Sequence, residues 1–223
     1  MIDLHTHTLF SDGELVPSEL VRRAEVIGYT AIALTDHADI SNLDFIIPRI
    51  REACSKINEK KGLIALPGIE LTHVHPDDIA ELARKARSLG ALIIVVHGET
   101  IVEPVMPGTN RKALESDIDI LAHPGLISDK EVELAARNGI CLEISARKGH
   151  CLSNGHVAKT ALKCGAQLIL NTDTHAPDDL ITLERAKRTA QGAGLSEDDF
   201  SRMLDSSRAL VKKAMGIEWP GFT

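Results

Sequence analysis

Short apolar runs at 2–4, 31–35, 63–66, 92–96, 118–121, 140–144 and 167–170 alternate with longer amphipathic stretches along the whole chain. Runs of this length read as buried strands, and strands separated by helix-length segments build parallel βα units. The intervening segments follow one grammar. Pro17 opens a helix through Leu20, Val21, Ala24 and Ile27, and Gly28 stops it; segments 77–89, 129–138 and 155–164 stop likewise at Gly90, Gly139 and Gly165. Pro48 lacks a backbone donor, which places the main helix of 43–59 after Ile47. Segments 183–193, 197–205 and 206–215 read as helices, a C-terminal group from about 177 onward that packs on the barrel.

The 223 residues, 43% hydrophobic and 26% charged, suit a single domain over 1–223 with a substantial core. A net charge of -7 and a pI near 5.8 argue against nucleic-acid and anionic-membrane partners. Asp3, His5 and His7 at the start do not fit the apolar core of a secretory signal. No apolar run approaches the roughly 20 residues needed to span a bilayer, so a soluble cytoplasmic protein is the expectation. Cys54, Cys141, Cys151 and Cys164 form no CxxC pair, which argues against disulfides and thiolate metal sites. Cys151 beside His150 is read as an incidental loop thiol rather than a nucleophile.

The placement of the metal-binding residue types carries the functional information. His5 and His7 follow the first strand, Asp36 and His37 the second, Glu70 the third, His97 the fourth, His123 the fifth, and Asp173 and His175 the seventh; Glu143 lies within the sixth. In a parallel barrel the C-terminal ends of the strands converge on one face, where scattered residues become a cluster. The spacing of His5 and His7 puts both imidazoles on one side of an extended backbone. A lone histidine at a strand end is usually a loop or capping residue. Six of the 10 histidines at strand ends, accompanied by Asp12, Glu70 and Asp173, are poorly explained that way, and a metal site is the better reading. His73, His75, His150 and His156 fall outside the pattern and are assigned to loops or substrate contact. Asp36 is either a carboxylate orienting an imidazole or a turn residue.

His5-Thr6-His7, Ser11-Asp12-Gly13, Thr35-Asp36-His37, Gly68-Ile69-Glu70, Val96-His97-Gly98, Ala122-His123-Pro124 and Thr172-Asp173-Thr174-His175 together resemble the PHP family, named for its polymerase and histidinol phosphatase members. The resemblance spans nearly the whole chain. It implies a distorted (β/α)7 TIM-like barrel, in keeping with the strand count, and three divalent metal ions: Zn, Mn or Fe in preference to Mg. By similarity His5, His7, Glu70 and Asp173 would hold one ion, Glu70, His97 and His123 a second, and Asp12, His37 and His175 a third. Asp12 stands where many relatives carry histidine, a change that favours harder ions.

Ions so arranged would share a bridging hydroxide as nucleophile, with no catalytic side chain required, and would clamp the phosphoryl oxygens of a small phosphorylated substrate. Arg111, Arg147 and Lys148 lie in loops on the expected site face and are candidate phosphate contacts, with His150 beside them. The expected activity is hydrolysis of small-molecule phosphate esters, histidinol phosphate among them. The alternatives are amidohydrolase-type chemistry on the same barrel and a non-catalytic regulatory metal module.

Overall fold

The computed structural model describes residues 1–60 and 62–216, so the last seven residues of the predicted 1–223 unit lie outside the described part. The strands are β1 (Ile2–Asp3), β2 (Ala31–Leu34), β3 (His37–Ala38), β4 (Ile64–Leu71), β5 (Ile93–His97), β6 (Ile120–Ala122), β7 (Cys141–Ser145) and β8 (Leu168–Asn171). Between and after them run α1 (Pro17–Val26), α2 (Leu43–Asn58), α3 (Ile79–Leu89), α4 (Thr109–Leu114), α5 (Asp129–Asn138), α6 (Asn154–Cys164), α7 (Leu183–Gly192) and α8 (Glu197–Met215). All pairing is parallel, in the order β1-β2-β4-β5-β6-β7-β8, with β3 alongside β4. A bridge between Thr6 and Thr174, and the Leu4 amide donating to Asn171 Oδ1 at 2.9 Å, bring the first and last strands together, so the sheet is a nearly closed barrel.

Strand alternation divides the apolar residues into two layers. Ile2, Leu4, Ala33, Leu66, Val95 and Ile169 belong to one cluster, which α8 joins through Leu210 and Val211. The larger cluster packs the other strand faces against the surrounding helices, through residues such as Ile32, Leu34, Ile47, Ile94 and Leu142. Asp119 fastens α8 to the barrel. It accepts from the Ile94 amide at 2.9 Å, from Arg87 at 2.5 Å and from Lys213 at 3.0 Å.

Three expectations are corrected. α2 begins at Leu43 and carries Pro48 within it, because Leu43, Ile46, Ile47, Ile50 and Cys54 form one buried stripe at helical spacing. The Arg49 guanidinium donates to the Phe45 carbonyl at 2.7 Å beside the proline. The two helices expected over 197–205 and 206–215 are one, since Ser206 and Ser207 donate their hydroxyls to Arg202 and Met203 one turn back and do not interrupt it. The third strand runs past Pro67-Gly68 to Leu71. Pro67 sits where pairing with β2 ends, and Gly68 is required because a Cβ there would lie 2.6 Å from Thr35 Cγ2 and 2.8 Å from the Ile93 carbonyl oxygen. Glu70 is therefore inside a strand, one residue from its end, with a rigid backbone on both sides. Among the described residues no helix is long and apolar enough to cross a membrane.

Candidate metal centre

The strand ends bring all nine predicted ligand residues to one place. His5 and His7 leave β1 on the segment that Thr6 ties to Thr174, with the His7 amide donating to the Thr174 carbonyl at 2.8 Å. The following turn is pinned by Asp36, whose carboxylate accepts from the amides and hydroxyls of both Thr8 and Ser11 at 2.7 to 3.1 Å. Asp36 is thus the turn residue of the two possibilities, and what it positions is Asp12. His37 on β3 pairs across from Glu70 on β4, and His97 ends β5. His123 and Asp173 follow β6 and β8 with φ of 27° and 53°, a left-handed backbone uncommon for residues other than glycine.

The separations between donor atoms are those of groups facing a common point. His5 Nε2 lies 3.4 Å from Glu70 Oε1 and 3.6 Å from Asp173 Oδ1; His7 Nε2 lies 3.2 Å from Asp173 Oδ1 and 3.6 Å from Glu70 Oε2. His123 Nε2 is 3.7 Å from Glu70 Oε1, and the His97 ring lies 4.4 Å from the His123 ring. Asp12 Oδ1 lies 3.1 Å from His175 Nε2 and 3.5 Å from His37 Nε2, which are 3.4 Å from each other. Donor atoms close enough to share an ion form the groups His7, Asp12, His37 and His175; His5, His7 and Glu70; His5, His123 and Asp173; and His97, His123 and His150, so beside His97 and His123 stands His150 where the resemblance gives Glu70.

Hydrogen bonds on the far side of the rings settle which nitrogen faces inward. His5 Nδ1 meets Glu143 Oε1 at 2.9 Å, His175 Nδ1 the Asp173 carbonyl at 2.9 Å, and His97 Nδ1 the Gly98 carbonyl at 3.2 Å. Carbonyls only accept, so Nδ1 of His97 and of His175 carries a proton, and in the neutral ring Nε2 is then the nitrogen with a lone pair for a metal. His5 Nε2, both nitrogens of His7, Glu70 Oε1 and Asp173 Oδ1 are buried with no hydrogen-bond partner. Polar atoms in such a place are costly unless something satisfies them, and a divalent cation does so for imidazole and carboxylate together. These residues fit a multinuclear metal site.

The electrostatics divide: against the pull of burial, Glu143 holds His5 well above the usual histidine range, Glu70 raises His37 and Glu103 raises His97, while His7 and His123 go the other way. Burial and the neighbouring His37 drive His7 well below the usual histidine range, so it stays neutral, as a ligand must be. Burial, with His97 next, does the same to His123. Burial would raise Glu70, but His5 and His37 outweigh it and hold the carboxyl ionised. Asp173 is pushed up to about 7, by burial first and by Glu70, against the pull of His5.

The predicted substrate contacts divide. Arg147 and His150 line the same cavity of about 260 Å³. Arg147 donates to the Asp173 carbonyl at 3.0 Å, with Nε 3.6 Å from Asp173 Oδ2. His150 bonds Thr100 Oγ1 at 2.8 Å, leaving Nε2 toward Asp173 Oδ2 at 3.8 Å. Arg111 does not line the cavity: it is exposed on α4 and paired with Glu115 at 2.7 Å. Lys148 is exposed and does not line it either.

Sequence reasoning gave no role to two acidic residues. Glu143 is fully buried and accepts from His5, from the His123 amide at 3.1 Å and from Asn171 at 3.0 Å, joining residues of two ligand sets. A carboxylate inside an apolar strand was the available signal. Glu143→Ala is expected to weaken metal binding by about 10- to 100-fold, as loss of an orienting partner does, with Glu143→Gln recovering much of it because the amide oxygen still accepts. Equal metal titrations for wild type and Glu143→Ala would contradict that role. The second, Glu103, reaches the cavity from a loop and left no pattern in the sequence.

A family model described as the PHP domain matches residues 3–150. An uncharacterized protein of Methanocaldococcus jannaschii is 49% identical, covering 95% of this chain and 98% of its own. Ribonuclease P protein component 3 of Methanosarcina mazei is 27% identical over 94% of this chain and 87% of its own, and a probable phosphatase of Shewanella loihica is 26% identical over 95% and 92%. In the cryo-EM structure of archaeal ribonuclease P with mature tRNA, one chain superposes with a TM-score of 0.74 over 99% of this chain and 98% of that one, at 15% identity, a likeness of fold. With the model spanning more than half of the residues and the ligand pattern brought together at the barrel end, the chain belongs to the PHP domain family.

Proposed function

We propose that this protein is a metal-dependent phosphoesterase acting on small phosphorylated molecules, with His5, His7, Asp12, His37, Glu70, His97, His123, Asp173 and His175 as metal ligands. The observation that carries the reading is the joining of six of those donors, Asp12, His37, His97, His123, Asp173 and His175, to the Arg147 guanidinium in the lining of a single cavity. Divalent ions held by these residues would supply Lewis acidity toward water and phosphoryl oxygens. The chain's own part is to hold the donors rigidly, since reorganising them during reaction would forfeit the gain. Glu70 lies between the first two ligand sets, so its two oxygens can tie them together. Arg147, anchored on the Asp173 carbonyl, presents its remaining N–H groups to phosphoryl oxygens.

The relative described as a probable phosphatase supports this reading, and the proposal adds three ions and phosphorus as the atom attacked. Protein loaded with Mn, Zn, Fe or Mg should release phosphate from a generic aryl phosphate and leave an aryl ester intact. The opposite preference would transfer the site to the amidohydrolase type. A panel including histidinol phosphate and nucleotide phosphates then identifies the leaving group. No phosphate from any member, with metals bound, would favour a regulatory module.

A second reading comes from the ribonuclease P relatives and the fold match over nearly the full chain. The net charge of -7 does not exclude RNA association, because an acidic chain can join a ribonucleoprotein through a local surface or another protein. Retention on structured RNA at physiological salt, unaffected by His5→Ala, would favour it over hydrolysis.

A further inference from the structure

Glu103 lies between β5 and α4, and its carboxylate turns into the metal cavity. Oε2 is 3.1 Å from His97 Nε2 and 3.2 Å from His73 Nε2, and Oε1 is 3.4 Å from His150 Nε2. The His97 contact is the informative one. With Nδ1 at the Gly98 carbonyl, a neutral His97 would turn a bare lone pair toward an anionic oxygen. Two acceptors that close repel unless a cation stands between them.

The distance itself suits a cation shared by the two groups. Ligands each about 2.1 Å from one ion are roughly 3.0 to 3.4 Å apart at octahedral to tetrahedral angles. His5 to Glu70 at 3.4 Å, His7 to Asp173 at 3.2 Å and His175 to Asp12 at 3.1 Å lie in that window, and His97 to Glu103 joins them. Exposure separates Glu103 from the buried carboxylates: its side chain is 38% exposed and that of Asp12 58%, whereas those of Glu70 and Asp173 are at most 2%. A ligand held from the solvent side, on a loop, can leave without disturbing the barrel.

We infer that Glu103 is a further, displaceable metal ligand, which with His97 occupies the cavity-facing side of the second ion until a phosphoryl oxygen replaces it. His73, held at φ 53°, steadies the same carboxylate from outside. The inference rests on the proposed metal site and adds that an incoming phosphate competes with the protein's own anion. Protonation of His97 is the rival account of the short contact, and in it Glu103 touches no metal.

The test uses the full chain loaded with Co(II), as wild type, Glu103→Gln and Glu103→Ala, with circular dichroism confirming the fold. The visible cobalt spectrum reads the coordination shell, and calorimetric titration with inorganic phosphate reads the competition. Both variants should change the cobalt spectrum and, at saturating cobalt, bind phosphate about tenfold more tightly, the size of one removed charge contact. An unchanged spectrum, or phosphate affinity equal to or below that of wild type, would overturn the inference. Wild-type protein that takes up no cobalt would instead sink the metal-site reading beneath it, so the two failures are distinguishable.

Discussion

Glu70→Ala is expected to cost at least about 1,000-fold in phosphate-ester hydrolysis, some 4 kcal/mol of transition-state stabilisation, together with the loss of more than one metal ion per chain. Glu70 faces four imidazoles at once: His37 Nδ1 at 2.6 Å, His5 at 3.4 Å, His7 at 3.6 Å and His123 at 3.7 Å. Those rings belong to all three proposed ligand sets. A single-site ligand such as Asp12 should cost one ion when replaced, whereas Glu70 joins two sets. Its position inside β4 keeps the backbone from relaxing into the gap. Glu70→Gln separates shape from charge, because the amide fills the same space but is a poor ligand. Metal analysis by mass spectrometry beside aryl-phosphate turnover checks both parts, and full metal content in Glu70→Ala would remove Glu70 from the bridging role.

His5→Ala and His123→Ala test the first two sets separately. Each should lower metal content and activity together while the barrel stays folded, since both rings face one another and the carboxylates rather than the apolar layers.

The barrel was readable because parallel strands buried on both faces leave uninterrupted apolar runs, and each glycine stop is a local backbone requirement. The ligand set was readable for a related reason: a strand end is a fixed point in the fold, so His37, His97, His123 and Asp173 announce their meeting place by position alone. What was not readable depended on tertiary compensation. Pro48 sits inside α2 because five buried side chains on one stripe outweigh one missing hydrogen bond. The Pro67-Gly68 pair imitates a turn, yet the strand continues where the neighbouring partner changes.

Loop residues were hardest to assign. Arg111, Arg147 and Lys148 were all candidate cations near the site face, and only side-chain direction distinguishes them. Arg147 turns to the Asp173 carbonyl, while Arg111 finds Glu115 four residues along its own helix. Glu103 is invisible for the same reason, and His73 is assigned no more closely than to a loop or substrate contact, because neither lies at a strand end or on a helical stripe. Asp36 shows the converse. Its place next to His37 suggested support of that ring, but its four hydrogen bonds go to the turn that carries Asp12, a partner distant in sequence.

Chelation should lower the thermal midpoint by about 8 to 16 °C for each ion removed. An ion at a thousand times its dissociation constant stabilises the folded state by about 4 kcal/mol, and about 1 kcal/mol moves the midpoint of a chain this size by roughly 2 to 4 °C. The direction follows from the buried donors: without cations, His5 Nε2, His7 Nε2, Glu70 Oε1 and Asp173 Oδ1 keep no partner. Collapse is not expected, because existing contacts compensate in part, His37 with Glu70 at 2.6 Å and His5 with Glu143 at 2.9 Å. The dependence on free metal is more telling than the size of the shift. Each bound ion adds about 1.4 kcal/mol of stability per tenfold increase in its free concentration above Kd, so the slope counts the ions. Three ions require three times the slope of one, and a midpoint indifferent to chelator would leave the buried lone pairs without their proposed occupant.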